Sequence, residues 1–416
     1  MSTELTRVTS EGLRRAFSPA KLGTLELRNR IIKAGTYEGK SPGGVPTQLL
    51  QDFHVELAEG GLGMTTLAYC ATEADGRIHE RMLYMHEGIR PQLEQFTRAV
   101  KATGARVSGQ IVHCGHFSSN AHLQRLKRPL GPSRQLNMMG IPAGVPFAGA
   151  MTPTDIDYFI QTFHDAAVFM KDVGFEALEV HCGHGYGISQ FISPKTNHRT
   201  DEYGGTLHNR LRVPVRIIET IRKAVGDDFP IIAKMGLTDG IKGGLEEDEA
   251  IEVARYLDKA GCDALITTGG TSSFNPNLMF RGPSIHHGLI EQEKNLVAKV
   301  GMKLVGPMLF KEYPYHEMYF RDGCRRVRDA VDCQVAYIGG CSTLESLEQI
   351  MNDGIDFVQL GRPLLADPAY VNNASAALIA GKSYDSGCTH CNRCVALIDA
   401  EGGIYCPELH PERKPI

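Results

Sequence analysis

Short apolar runs rich in β-branched residues recur along the chain, separated by longer stretches with helical spacing. The runs are Arg30–Tyr37, Gly63–Ala71, Ala105–Val112, Phe175–His181, Phe229–Met235, Ala264–Thr268, Val335–Gly339 and Asp356–Leu360. Runs of this length and texture suit strands buried on both faces, as in a parallel sheet. Between them, Thr47–Glu59 sets Leu49, Leu50, Phe53 and Leu57 on one helical face. A helix over Thr154–Val173 is announced by Thr152-Pro153-Thr154-Asp155, and Asn209–Val225 and Leu245–Ala260 carry the same period. Strand and helix alternating in this way predict an α/β fold, a (β/α)8 TIM barrel. A doubly wound sheet is the rival, but no Gly-x-Gly-x-x-Gly turn follows an early strand. Gly381-Lys382-Ser383 resembles the end of a P-loop, yet Ala376 stands where its first glycine is required.

The pattern divides the chain into an arm (residues 1–16), the barrel (17–382) and a cysteine-rich tail (383–416). Two excursions interrupt the barrel, at 117–151 and 269–332. Long insertions at the C-terminal ends of barrel strands commonly cover an active site, although surface decoration has the same signature. The second is long enough for at least one helix plus a loop.

Charge and composition narrow the partners. A net charge of −4 over 416 residues implies no polyanion, so no nucleic acid is expected. Uninterrupted apolar stretches stay short of a membrane span. Met1–Arg15 lacks the apolar centre of a signal peptide and reads as a frayed arm. Cys70, Cys114, Cys182, Cys262, Cys324, Cys333 and Cys341 are scattered, as reduced thiols of a cytoplasmic enzyme would be. The expected partner is a small-molecule substrate.

Candidate chemistry gathers at the strand ends. The fourth run leads into His181-Cys182-Gly183-His184-Gly185-Tyr186, two imidazoles and a phenol on one turn. Such a turn can present two donors to a carbonyl oxygen and a proton donor beside them. One histidine there would more often be a satisfied polar group; two with a tyrosine favour chemistry. Gln110, ending the third run, can both donate and accept at the edge of a heterocycle. Lys234, in the fifth, offers positive charge to a developing anion. Gly339-Gly340 after the seventh run and Gly361-Arg362 after the eighth occupy the usual phosphate position of such barrels, backbone amides beside a guanidinium. The residues thus support a phosphate-bearing ligand and an acid/base site.

At this point the chain resembles the old yellow enzyme family, the NADH:flavin oxidoreductases that include FMN ene-reductases and the barrel domain of 2,4-dienoyl-CoA reductase. The likeness runs from Phe17 to Pro368. It is carried by Phe17-Ser18-Pro19, Leu27-Arg28-Asn29-Arg30, Ala58-Glu59-Gly60-Gly61, and Gln110-Ile111-Val112-His113-Cys114-Gly115-His116. Gln190-Phe191-Ile192-Ser193-Pro194, Asn197-His198-Arg199-Thr200-Asp201-Glu202-Tyr203-Gly204-Gly205 and Asn209-Arg210 complete it. The resemblance implies FMN as cofactor and NAD(P)H as co-substrate. Ala34 and Gly35 would line the isoalloxazine, Gln110 and Lys234 would contact its pyrimidine edge, and Gly339, Gly340, Gly361 and Arg362 would hold the phosphate. His181 and His184 would bond a substrate oxygen, and Tyr186 would protonate carbon as an activated C=C bond is reduced. Homo-oligomers are common among such relatives, although no interface signal shows here.

Departures from the family pattern are Tyr37, where many relatives have Thr, Cys or His, Tyr69, where small residues are usual, and Lys234, where many have Arg. An FMN-dependent amine or saturated-substrate dehydrogenase or demethylase, a non-catalytic electron-transfer flavoprotein, and a flavin-free barrel isomerase remain alternatives. In the tail, Cys388, Cys391 and Cys394, followed by Cys406, have metal-type spacing. By resemblance, dienoyl-CoA reductases ligate a 4Fe–4S cluster there, but with one more residue between the second and third cysteines. A cluster, zinc, or unligated thiols all fit this reading.

Overall fold

The computed structural model describes residues 8–292 and 296–414. Eight strands close into a barrel: β1 (Ile31–Lys33), β2 (Met64–Ala71), β3 (Arg106–Val112), β4 (Ala177–Cys182), β5 (Ile231–Gly236), β6 (Ala264–Thr268), β7 (Gln334–Tyr337) and β8 (Phe357–Leu360). All pairings are parallel, β8 onto β1 included. Each expected run supplies one strand. The first is far shorter than expected, because past Ala34, whose amide makes a last bond to Leu360 O (2.8 Å), the chain leaves the ladder and crosses the barrel mouth.

Alternation along the strands builds the site. Residues two apart share a face, so Ala177, Glu179 and His181 of β4 climb the interior together, as do Ile232 and Lys234 of β5. Intervening Leu178, Val180, Ala233 and Met235 join the core beneath the helices. At the bottom, Ile32, Met64, Ala177, Ile232, Ala264, Ala336 and Phe357 form an apolar plug with Leu22 and Leu27, from a hairpin pairing Ala20–Leu22 with Leu25–Leu27. Apolar floor and polar mouth are thus consecutive layers of one barrel.

The outer helices are α1 (Gln48–Glu59), α2 (Arg90–Ala102), α3 (Pro153–Asp172), α4 (Leu207–Val225), α5 (Glu247–Lys259), α6 (Arg321–Arg328), α7 (Leu344–Asn352) and α8 (Tyr370–Ile379). Thr47, Thr152, Thr206 and Thr343 cap their helices through the side chain, Thr152 in a reciprocal capping box with Asp155. On α1, Leu50, Phe53 and Leu57 are buried as expected, but Leu49 is 48% exposed and His54 lies on the buried face instead.

Other details differ from the sequence reading. Glu11–Phe17 is not frayed: it is a helix capped by Ser10, with Leu13, Ala16 and Phe17 in the core. It lies so close to α7 that a Cβ on Gly12 would stand 2.6 Å from Asn352 Oδ1. Residues 1–7 lie outside the described residues. The excursion at 269–332 holds Asn277–Phe280, His286–Gln292 and Leu296–Leu309 as well as α6. That at 117–151 folds a small sheet, anchored where the Asp75 carboxylate accepts the amides of Gln124, Arg125 and Leu126 at 2.6–2.9 Å. The tail packs back on the loop after β1 through Ile404 N–H to Glu38 O (2.9 Å) and Lys40 Nζ to Gly402 O (2.6 Å). No described helix is long and apolar enough to cross a membrane.

Candidate active site

A buried carboxylate organises the base of the mouth. Glu179 accepts from Gln110 Nε2, from Gln359 Nε2 (2.8 Å) and from Lys234 Nζ (2.7 Å). Lys234 also reaches Gly35 O at 3.1 Å, and Gly35 lies so near that a Cβ there would meet Gln110 Nε2 at 2.7 Å and Glu179 Oε1 at 2.9 Å. The structure therefore brings Ala34, Gly35, Gln110 and Lys234 together from the ends of β1, β3 and β5. Sequence reasoning missed Glu179 and Gln359; the available signal was polar residues at inward positions of otherwise apolar runs. The Oε1 atoms of Gln110 and Gln359 are buried with no hydrogen-bond partner among the described residues.

The His181–Tyr186 turn stands above this network. The Gly183 N–H donates to His181 Nδ1 (3.3 Å), which fixes the ring proton on Nε2, a buried atom without a partner among the described residues. His184 Nε2 lies 2.9 Å from Thr268 Oγ1, and its buried Nδ1 is likewise unpartnered. Burial holds both imidazoles neutral: His181 falls well below the ordinary histidine range, and His184 falls to about 3, helped by the Lys234 charge. The turn is held open by His184 at φ 59°, a region few non-glycine residues adopt, and by the Ser272 amide bonding His184 O at 2.9 Å.

Tyr186 is 4% exposed, and its ring lies 4.9 Å from that of His181, centroid to centroid. Its phenol oxygen accepts from Ser272 Oγ at 3.0 Å, which leaves its own hydrogen uncommitted by that bond. Burial raises its pKa, while hydrogen bonds from Ser272 and Tyr69 oppose the rise. Ser272 and Thr268 escaped the sequence reading: one sits at the head of an excursion, the other looked like an ordinary strand residue. Tyr69 packs edge-on against both His181 and Tyr186, and Tyr37 lies against Tyr69, so both departures are walls of this site.

Across the mouth, Gly339, Gly340, Gly361 and Arg362 line one cleft with Thr36, Gln359 and His390. Gly339 has φ 135° and Gly340 φ 77°, and a Cβ on Gly339 would come within 2.7 Å of the Phe320 ring. Their carbonyls are taken by the amides of Tyr319 (3.0 Å) and Met318 (2.7 Å), so the amides of the turn are what a phosphate can use. Behind Arg362, Cys388, Cys391, Cys394 and Cys406 line a separate recess. Among the described residues, however, no three metal-capable side chains converge as ligands, so these cysteines do not themselves form a ready metal site.

Comparison with known proteins gives this geometry its context. Residues 15–272 match the NADH:flavin oxidoreductase / NADH oxidase family. The 4,4'-dithiodibutanoate disulfide reductase of Rhodococcus erythropolis is 38% identical over 384 residues, 92% of either chain. The NADH oxidase of Thermoanaerobacter brockii is 29% identical over 367 residues, which cover 86% of this chain and 50% of that one, so this chain spans about half its length. A solved 2-naphthoyl-CoA reductase in complex with 2-naphthoyl-CoA superposes with a TM-score of 0.76 at 25% identity, covering 97% of this chain and 58% of that one. The chain belongs to the NADH:flavin oxidoreductase / NADH oxidase family and is an NAD(P)H:flavin oxidoreductase.

Proposed function

We propose that this enzyme, with FMN as resident cofactor, uses NADH or NADPH to reduce the electron-poor C=C bond of an enone, enoate or enoyl thioester. The residues present fit FMN. Two buried amide oxygens lack partners, the backbone at Gly35 must stay bare, and a glycine-lined cleft with a guanidinium suits a phosphate. On this reading Ala34, Gly35, Gln110 and Lys234 hold the ring, and Gly339, Gly340, Gly361 and Arg362 hold the phosphate. When bound, FMN supplies the hydride chemistry that side chains cannot.

The chain itself polarises the substrate and delivers a proton. His181 Nε2–H and, with the Thr268 hydroxyl donating to Nε2, His184 Nδ1–H are unspent buried donors. Aimed at a carbonyl oxygen, they strengthen as charge moves onto it; such a donor is typically worth about 2.7–4 kcal/mol. Tyr186 gives its proton to the α-carbon, and the Ser272 hydroxyl steadies the phenolate left behind until solvent reprotonates it. The observation that carries this reading is the convergence of two neutral imidazoles on a phenol whose oxygen is already a hydrogen-bond acceptor.

One comparison favours a second substrate. The 38% identical relative is named for a disulfide, and the same proton donor would serve a thiolate leaving group. Anaerobic assays with 2-cyclohexenone and with 4,4'-dithiodibutanoate separate the two. The expected result is NAD(P)H-dependent reduction of the enone, with Tyr186→Phe slowing the substrate half by about 100-fold or more while sparing reduction by NAD(P)H. Disulfide turnover with an inert enone, or equal loss in both halves, would overturn the C=C reading.

A further inference from the structure

We propose that the cysteine tail forms part of the cofactor's phosphate grip, acting through Arg362; this rests on the reading that the phosphate lies in the Gly339–Arg362 cleft. Arg362 lines both that cleft and the recess of the four tail cysteines. Its Nη1 donates to Asn392 Oδ1 at 2.6 Å and to Arg281 O at 3.1 Å. Asn392 is fixed in turn, since its Nδ2 donates to Pro283 O at 2.9 Å. The guanidinium also faces the ring of Tyr315 at 5.7 Å, and Tyr315 stacks on His390 with centroids 3.4 Å apart and planes 11° from parallel. His390 is therefore a tail residue in the wall of the phosphate cleft.

Sequence order makes this a coupling rather than a chance contact. In Cys388-Thr389-His390-Cys391-Asn392-Arg393-Cys394, the two residues that touch the phosphate side are the ones flanking Cys391. Both are in the left-handed region, His390 at φ 57° and Asn392 at φ 61°. Such a conformation persists where the surroundings over-determine it. His390 Nδ1 also lies 3.7 Å from Cys388 Sγ. The way the cysteines are held thus sets the poses of His390 and Asn392, and through them the aim of Arg362. A long side chain at the end of β8 would otherwise keep several rotamers open, and orienting it in advance favours the ligand.

The test is titration of the flavin-depleted full chain with FMN and, separately, with riboflavin, which has no phosphate, read by flavin fluorescence. Asn392→Ala should weaken FMN about tenfold, the size of one charge-assisted contact, and leave riboflavin unchanged. His390→Ala, which removes the stack on Tyr315, carries the same expectation should Asn392→Ala fail to fold. Arg362→Ala is the control for the underlying reading: if it binds FMN as the wild type does, the phosphate is not in this cleft. If Arg362→Ala weakens FMN while Asn392→Ala and His390→Ala do not, the tail has no part in the grip. Equal losses of FMN and riboflavin in the tail variants would also overturn the proposal, since the effect would then not be at the phosphate.

Discussion

Each polar side chain at the barrel mouth owes its state to what surrounds it. His181 and His184 are neutral because burial penalises their charged forms and Lys234 adds repulsion. With His184 depressed to about 3 and burial holding His181 well below its ordinary range, neither imidazole changes charge between pH 6 and 9. The substrate half of the reaction should therefore be flat across that window in stopped-flow traces. An inflection between pH 6 and 7 that disappears in His184→Asn would show an imidazolium at work instead. The trio His181, His184 and Tyr186 was legible because it ends a strand and carries unusual chemistry for a turn. Glu179 was not: an acid inside the apolar run Phe175–Val180 reads as part of the core until the barrel closes and sets Gln110, Lys234 and Gln359 around it. Its partners lie on three other strands, and no local pattern in the chain records that meeting.

Elements were legible where their signals are local. Thr152-Pro153-Thr154-Asp155 announces α3 because the capping box is formed by residues three apart, and it is present. The choice between Leu49 and His54 on α1 was not local. His54 Nδ1 bonds Thr65 Oγ1 at 2.7 Å and its Nε2 lies 3.3 Å from Glu38, partners supplied by β2 and by the loop after β1. That loop also explains the early end of β1, since its extended path brings Gly35 between Gln110 and Glu179. Gly35→Ala tests the consequence. With the buried, hydrogen-bonded side chains of Gln110 and Glu179 2.7–2.9 Å from the new Cβ, something must shift. The variant should fold, because the barrel ladder stops before this position, but bind flavin at least about tenfold more weakly, a loss of about 1.4 kcal/mol. Wild-type flavin content in the purified variant would contradict a ring lying against this loop.

At the scale of the molecule, the closed order of strands follows from the count, because parallel strands joined by right-handed crossovers add one neighbour at a time. The burial that follows was not legible, and it makes the fold acid-sensitive. His54 and His116 fall to about 4 and His184 to about 3, each chiefly by burial. In the unfolded chain such groups titrate near 6.5, so below that pH the unfolded state binds more protons than the native one. Stability is therefore complete above about pH 6.5 and declines as pH falls toward the folded values. At pH 5 each group costs about 2 kcal/mol, from 1.36 kcal/mol per unit, and three together approach the net stability of a domain. The paired carboxylate of Glu38, depressed by Lys33 and His54, adds its own loss only at lower pH, as the medium falls through its folded value. Thermal melts should thus show a Tm several degrees lower at pH 5 than at pH 7.5. The slope should be shallower in His116→Gln, whose side chain has no proton to gain. A Tm that holds constant across this range would mean that these imidazoles meet water in the native state, and the neutral, desolvated pair assigned to the mouth of the barrel would fall with it.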